Sequence, residues 1–199
     1  NAMRKIYIKD NVFHVGSRTC AVVLTEHNQV QDGENQNPKY NKDNVPAANK
    51  GPFHGVQIID NTVDIGCQLV RVECAIDGMV ISGNAWNGFM FNRGSGWYNE
   101  NYDSVIYFKE RKRYENIAIT GNSFTSYNEE SVAGSKAKDG NRPQHYIQFH
   151  DNANIMGVTV NGNSFGYNQN NKSAIKCTAT DKISVVGNTI SNTGNSSGN

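Results

Sequence analysis

The sequence lacks the features that would point to a charged partner or a bilayer. Its formal net charge is only +1 and charged residues make up 19% of its 199 residues, so the chain has no overall attraction to nucleic acid or to an anionic membrane. It has no run of about 18 or more apolar residues, so we expect no membrane span. Any binding is therefore expected to be local.

Signs of helices and of metal sites are also missing. No segment shows a helical hydrophobic period, the five histidines have no metal-ligand spacing, and the four cysteines form no Cys-x-x-Cys pair. Calcium stays open, because Asp10, Asp60, Asp64 and Asp77 could gather if their turns stack. The preference of Asp for turns is the simpler explanation, so we expect no cofactor and keep calcium only as an alternative.

One short pattern occurs six times: an apolar residue, any residue, an apolar residue, two residues of turn character, then Asn. The copies occupy residues 6–11, 56–61, 79–84, 117–122, 158–163 and 183–188. An apolar residue follows two positions after every Asn, so strand alternation lies on both sides of the turn. The shortest spacing between copies, 23 residues, predicts the coil of a solenoid.

A second alternating apolar run precedes each later copy, as in residues 70–74 and 106–108. Gly or Asp stands just before each Asn, where a left-handed backbone is easiest. Asn side chains at equal positions of stacked coils are predicted to form a hydrogen-bonded ladder. The sequence therefore predicts an all-β fold, a single-stranded right-handed parallel β-helix of about six coils with loop insertions.

We predict one domain at residues 4–192, with insertions at residues 28–54, 87–103 and 125–144. Residues 1–3 look like the remnant of a cleaved tag, and residues 193–199 read as a polar tail. No capping helix is evident at either end, so we expect a fragment of a longer protein or ends covered by partner subunits.

The cysteines are expected to act mainly as small apolar residues. Cys74 and Cys177 share the phase of the inward apolar residues, which predicts buried thiols. Cys20 and Cys67 precede corresponding strands of neighbouring coils, so a disulfide between them stays open.

The repeat resembles the coil of pectate-lyase-like proteins, of copper-maturation periplasmic proteins of the nitrous-oxide system and of bacteriophage tailspikes, over roughly residues 5–192. The Asn-Thr-Asp, Gly-His-Gly and Arg-Ile-Lys signatures of polygalacturonases and the Arg-x-Pro-x-x-Arg run of pectate lyases are absent. The resemblance implies a polysaccharide-directed protein that is extracellular, at a cell surface or on a virion. It assigns no catalytic residue.

Alternation along the second run predicts two outward rows on successive coils. The first row contains Arg71, Tyr107, Gln148 and Lys176, and the second contains Glu73, Lys109, His150 and Thr178. We predict the first row as substrate-binding, together with Trp97 and Tyr98 in the adjacent insertion, because exposed rings offer flat faces for sugars. Alternatively these rings cover the solenoid wall or a subunit contact.

The candidate catalytic residues are Glu73, Lys109, His150 and Asp151. Glycoside hydrolysis needs two carboxyls about 5–9.5 Å apart, which Glu73 could form with Asp151 or with Glu110. Elimination needs a base and a cation, roles that His150, Lys109 and Arg71 could take. The alternative is solvated ion pairing along the face.

Two functions stay open. The first is a β-helix that binds and cleaves a polysaccharide, as a lyase or a glycoside hydrolase. The second is a non-catalytic glycan-binding or structural segment of a tailspike-like protein.

The weakly polar outward residues Ile59, Val80 and Ala118 predict a homotrimer contact or a contact with neighbouring domains. The basic run 109–113 is interrupted by Glu110, which favours a solvated turn over a nucleic-acid patch.

Overall fold

The computed structural model describes residues 4–14, 20–25, 29–30, 39–40, 52–64, 68–88, 104–126, 143–166, 172–178 and 183–191. These residues contain strands and no helix. The strands wind as a right-handed parallel β-helix with three sheets, which confirms the predicted fold class. Sheet A carries the strand before each Asn turn, sheet B the strand after it, and sheet C the third strand of the coil.

The strands of each sheet are stacked in parallel and in register. Sheet A contains Arg4–Lys9, Phe53–Ile59, Ile76–Ser82, Arg113–Thr120, Asn154–Asn161 and Ile183–Val186. Sheet B contains Val12–His14, Thr62–Asp64, Ala85–Gly88, Ser123–Ser126, Ser164–Phe165 and Thr189–Ile190. Sheet C contains Cys20–Thr25, Gln68–Glu73, Ser104–Phe108, His145–Phe149 and Ile175–Lys176.

The strands extend into the segments predicted as insertions. Ala85–Gly88 and Ser123–Ser126 each reach two residues into one, and Phe53–Ile59 begins inside the first. That first insertion also contains a two-stranded antiparallel sheet, Gln29–Val30 with Lys39–Tyr40. Polar outward residues such as Asn87 and Thr125 continue the backbone pairing, so the strands overlap each predicted insertion by two residues.

The predicted Asn ladder is present. Its members are Asn11, Asn61, Asn84, Asn122, Asn163 and Asn188. At a central rung, the side-chain amide of Asn84 donates to Asn122 Oδ1 over 2.9 Å, and the backbone N–H of Asn84 donates to the same oxygen over 3.0 Å. Asn122 is only 1% exposed. The side chains therefore satisfy polar groups that the turn would otherwise bury unpaired.

A second column of left-handed residues lies six positions before the ladder Asn, inside the strands of sheet A. It contains Lys5, Gly55, Gly78, Asn116 and Gly157, with φ of 60°, 65°, 82°, 53° and 66°. Gly and Asn adopt this conformation at least cost. These left-handed residues bend the strands of sheet A. Their constant offset from the ladder Asn is the sequence signal that could have revealed the bend.

The core consists of aromatic and aliphatic side chains stacked coil upon coil. Phe108 and Phe149 stack with ring centroids 4.4 Å apart, and Phe124 and Phe165 stack at 5.4 Å. Tyr146 is fully buried against Phe165 although it directly precedes the inward Ile147. Two successive inward residues thus mark the corner where each coil enters sheet C, and strict alternation fails there.

The burial of the cysteine thiols agrees only partly with the prediction. Cys74 is fully buried in the core, as predicted, whereas Cys177 is only half-buried. Cys20 carries a thiol, which donates to Gln68 Oε1 over 2.9 Å. Cys67 lies outside the described residues, so the disulfide between Cys20 and Cys67 stays a hypothesis.

Candidate functional site

The outer face of sheet C carries the first predicted row. Arg71 pairs in register with Tyr107, Tyr107 with Gln148, and Gln148 with Lys176. Parallel coils repeat at roughly 4.8 Å, so the row offers one side chain per coil along the helix axis. All four side chains are half-buried. The structure thus brings together four of the six predicted binding residues.

Glu73 is the centre of an ion-paired group on this face. Its Oε1 lies 3.1 Å from Arg71 Nε and 3.3 Å from Lys109 Nζ. The prediction that Glu73 is exposed was wrong, because the residue is only 4% exposed. Alternation identifies the face on which a side chain lies, but it does not reveal what covers that face. The carboxylate therefore joins two cations of neighbouring coils.

His150 and Asp151 lie one coil further along. His150 Nδ1 accepts the backbone N–H of Asn152 over 3.1 Å. A neutral ring must then carry its proton on Nε2, which leaves no unoccupied lone pair for a substrate proton. Asp151 Oδ1 lies 3.2 Å from Lys176 Nζ. Both candidate carboxylates on this face, Glu73 and Asp151, are thus ion-paired with neighbouring cations.

Glu110 stands at the turn that follows the sheet C strand. Its backbone carbonyl accepts the hydroxyl of Tyr114 over 2.9 Å. Tyr114 is fully buried against Phe108, and burial raises the pKa of its hydroxyl far above the ordinary value. The observed role of Glu110 is therefore a backbone one.

A buried polar row lies beside the first row and was missed by the sequence analysis. It contains Gln68, Ser104 and His145, which are 0%, 0% and 8% exposed. Gln68 Nε2 donates to the Ser104 carbonyl over 2.9 Å, and the Ser104 hydroxyl donates to Gln148 Oε1. Each member stands three positions before a residue of the first row, which is the signal that could have found it. The row is joined to the first row by the Ser104–Gln148 hydrogen bond.

His145 is held in one tautomer. Its Nδ1 lies 2.7 Å from the Ser173 carbonyl, which can only accept, so Nδ1 carries the proton. Burial holds the pKa of His145 below its ordinary value, and its carbonyl contact acts in the opposite sense. The ring is therefore a neutral structural donor at physiological pH.

Trp97 and Tyr98 lie outside the described residues. Their predicted stacking on sugars stays a prediction.

The calcium expectation required four aspartates to gather. Asp10 and Asp60 share the turn column, whereas Asp64 lies on sheet B beside His14 and Asp77 on sheet A beside His54. Asp77 Oδ2 lies 3.3 Å from His54 Nδ1. In the described part of the chain, no group of three or more His, Cys, Asp or Glu side chains could hold a metal ion. The four aspartates therefore do not form one site.

The outer face of sheet A carries the weakly polar residues for which a subunit contact was predicted. Val80, Ala118 and Thr159 share one register row, and Ile59 lies in the next row. All four are half-buried within a single chain. The homotrimer contact predicted there stays a prediction.

Comparison of the chain with protein-family models, with curated proteins and with solved structures finds no match. The described residues include no helix of the length and apolar character needed to cross a membrane.

Proposed function

We propose that the outer face of sheet C binds an acidic polysaccharide without cleaving it. The observation that supports this most strongly is the register row of Arg71, Tyr107, Gln148 and Lys176. A linear polymer lying along the helix axis would meet one polar or aromatic side chain per coil.

Charge favours an acidic ligand. Three cationic side chains, Arg71, Lys109 and Lys176, share the face with two carboxylates, Glu73 and Asp151. Tyr107 lies between two of the cations in the row and adds an aromatic ring. Such rings pack on sugar faces while guanidinium and ammonium groups bond carboxylates or sulfates.

Binding without cleavage follows from the state of the candidate catalysts. Glu73 is buried in an ion-paired group, and the imidazole lone pair of His150 is occupied. Lys109, the other candidate base, is paired with Glu73. A general base needs an available lone pair within reach of the substrate proton. Burial of Glu73, the ion pair of Lys109 and the hydrogen bond to His150 each reduce that access, which supports binding rather than cleavage.

The resemblance to pectate-lyase-like and tailspike proteins supports the same proposal. A non-catalytic glycan-binding segment on a spike or at a cell surface would meet its ligand outside the cell. We therefore propose an extracellular, cell-surface or virion setting.

Titration calorimetry with a polyuronate and with a neutral polysaccharide tests the proposal. We expect the polyuronate to bind, and Lys176→Gln and Tyr107→Ala to weaken it about tenfold, or about 1.4 kcal/mol. Lys9→Gln is the matched control, because Lys9 is an exposed lysine of sheet A. Equal affinity in all variants would place the site elsewhere.

Cleavage is measured in the same samples. We expect no new reducing ends and no absorbance from unsaturated uronates. Release of either product by the wild type, lost in Glu73→Gln or His150→Ala, would overturn the non-catalytic half of the proposal.

A further inference from the structure

Two glutamines of sheet C differ in how their side-chain amides are paired. Gln68 is fully buried, and both ends of its amide are bonded, since Oε1 accepts the Cys20 thiol and Nε2 donates to the Ser104 carbonyl. Gln148 is half-buried on the outer face, and its Oε1 accepts the Ser104 hydroxyl. Among the described residues, no acceptor lies on Gln148 Nε2. The Gln148 amide is therefore held at one end only.

Ser104 determines which end of the Gln148 amide is held. Ser104 is 0% exposed, and in the described part of the chain its hydroxyl hydrogen has one acceptor, Gln148 Oε1. Turning the amide over would place an N–H donor against the hydroxyl and leave the hydroxyl hydrogen buried without an acceptor. The Ser104 hydroxyl therefore keeps Oε1 toward itself and turns Nε2 outward.

Lys176 of the next coil presents a second donor beside this amide. Gln148 and Lys176 are register partners on parallel strands, so their backbones lie roughly 4.8 Å apart. Lys176 Nζ contacts Asp151 Oδ1 over 3.2 Å, and this contact uses one of the three N–H donors of the ammonium. Two groups that can only donate therefore stand side by side on the outer face.

A carboxylate matches this pair of donors better than a sugar hydroxyl does. It has two oxygens and no hydrogen, so each oxygen can accept from one donor, and hydrogen bonds to an ionised group are the stronger ones. A hydroxyl could accept one of these bonds, but its own hydrogen would find no acceptor on Gln148, because Ser104 occupies Oε1. The pair therefore favours acidic over neutral sugars.

We propose that Gln148 Nε2 and Lys176 Nζ together bind one carboxylate of the polymer, and that Ser104 orients Gln148 for this contact. The inference rests on the proposed binding face and names its ligand more closely, as a polyuronate. Tyr107, one coil before Gln148 in the same row, lies beside the neighbouring sugar. Ser104 is a positioning residue, since it acts through Gln148.

Titration calorimetry with a polyuronate, and with the same polymer after reduction of its carboxyl groups, tests the carboxylate contact. Gln148→Glu keeps an oxygen for the Ser104 hydroxyl but replaces the outward amide with a carboxylate oxygen. It should weaken polyuronate binding at least about tenfold, the effect of losing a hydrogen bond to a charged group, and change binding of the reduced polymer little. Gln57→Glu is the matched control, because Gln57 is a half-buried glutamine of sheet A.

Ser104→Ala tests the positioning role in the same assay. Without the hydroxyl the Gln148 amide can turn over, so the preference for the polyuronate over the reduced polymer should fall about threefold. Ser104→Thr retains a hydroxyl and should restore the preference. A purely structural effect would weaken binding of both polymers equally and leave their ratio unchanged.

The outcomes separate this inference from the binding face itself. If Gln148→Glu binds the polyuronate like the wild type while Lys176→Gln weakens it, the face stands and the shared carboxylate contact is overturned. An unchanged preference in Ser104→Ala would overturn the role of Ser104. A wild type that binds no polyuronate would overturn the binding face and this inference together.

Discussion

Replacing Asn122 by Ala removes a central rung of the ladder. Two buried backbone groups would lose their partners, namely the N–H of Asn84 and the carbonyl of Ile81, which bond the Asn122 side chain at 3.0 and 2.9 Å. Asn163 Oδ1 would keep the backbone N–H of Asn122. Each stranded group costs about 1–3 kcal/mol, so we expect a loss of about 2–4 kcal/mol of unfolding free energy after relaxation.

Urea unfolding followed by circular dichroism measures this loss, provided that the m-value is unchanged. Asn11→Ala is the matched control, because Asn11 is the exposed first rung, and it should cost under about 1 kcal/mol. Asn122→Asp should cost more than Asn122→Ala, because an ionised carboxylate cannot donate to the Ile81 carbonyl and would face the acceptor Asn163 Oδ1. An Asn122→Ala variant as stable as Asn11→Ala would refute the ladder argument.

Three further predictions concern stability. Glu73→Gln leaves two cations uncompensated, so urea unfolding should show a loss of about 2–3 kcal/mol, less than for a fully buried pair because the Lys109 side chain is 26% exposed. The pKa of His145 is held below 6.5, so the unfolded chain binds its proton first. Stability should therefore be present above pH 6.5 and lost as the pH falls toward the lowered value, and His145→Gln should flatten this dependence in unfolding measured across pH. Gly121→Ala should cost about 1–2 kcal/mol for its left-handed backbone. Gly83→Ala should cost about the same in the same assay, because the Asp60 Oδ1 that its Cβ would meet is the end of an exposed side chain and can move aside.

The regular part of the fold could be predicted because each position of the repeat requires a particular type of residue for one main physical reason. Asn122 caps its turn, Gly121 takes the left-handed backbone, and Phe124 faces inward, so six copies of the pattern specify the coil. The bend at Gly55 and Asn116 was predictable in principle, since it keeps a fixed distance from each Asn. It was missed because residues at this offset vary in type.

The candidate site was predicted only as far as the faces of the strands. Alternation correctly grouped Arg71 with Tyr107, but it could not show that Glu73 is covered and paired. It also could not show that a backbone N–H reaches the imidazole of His150, because that bond depends on the turn that follows the strand. The burial of Glu73 is a tertiary property, whereas the His150 bond is local and depends on the conformation of the turn.

Residue-resolved NMR during titration with an acidic oligosaccharide tests the central claim most directly. The account predicts saturable shifts concentrated on the sheet C strands Gln68–Glu73, Ser104–Phe108 and His145–Phe149, with an unchanged oligosaccharide after prolonged incubation. Shifts centred on the outer face of sheet A or sheet B, or no shifts with any acidic oligosaccharide, would contradict it.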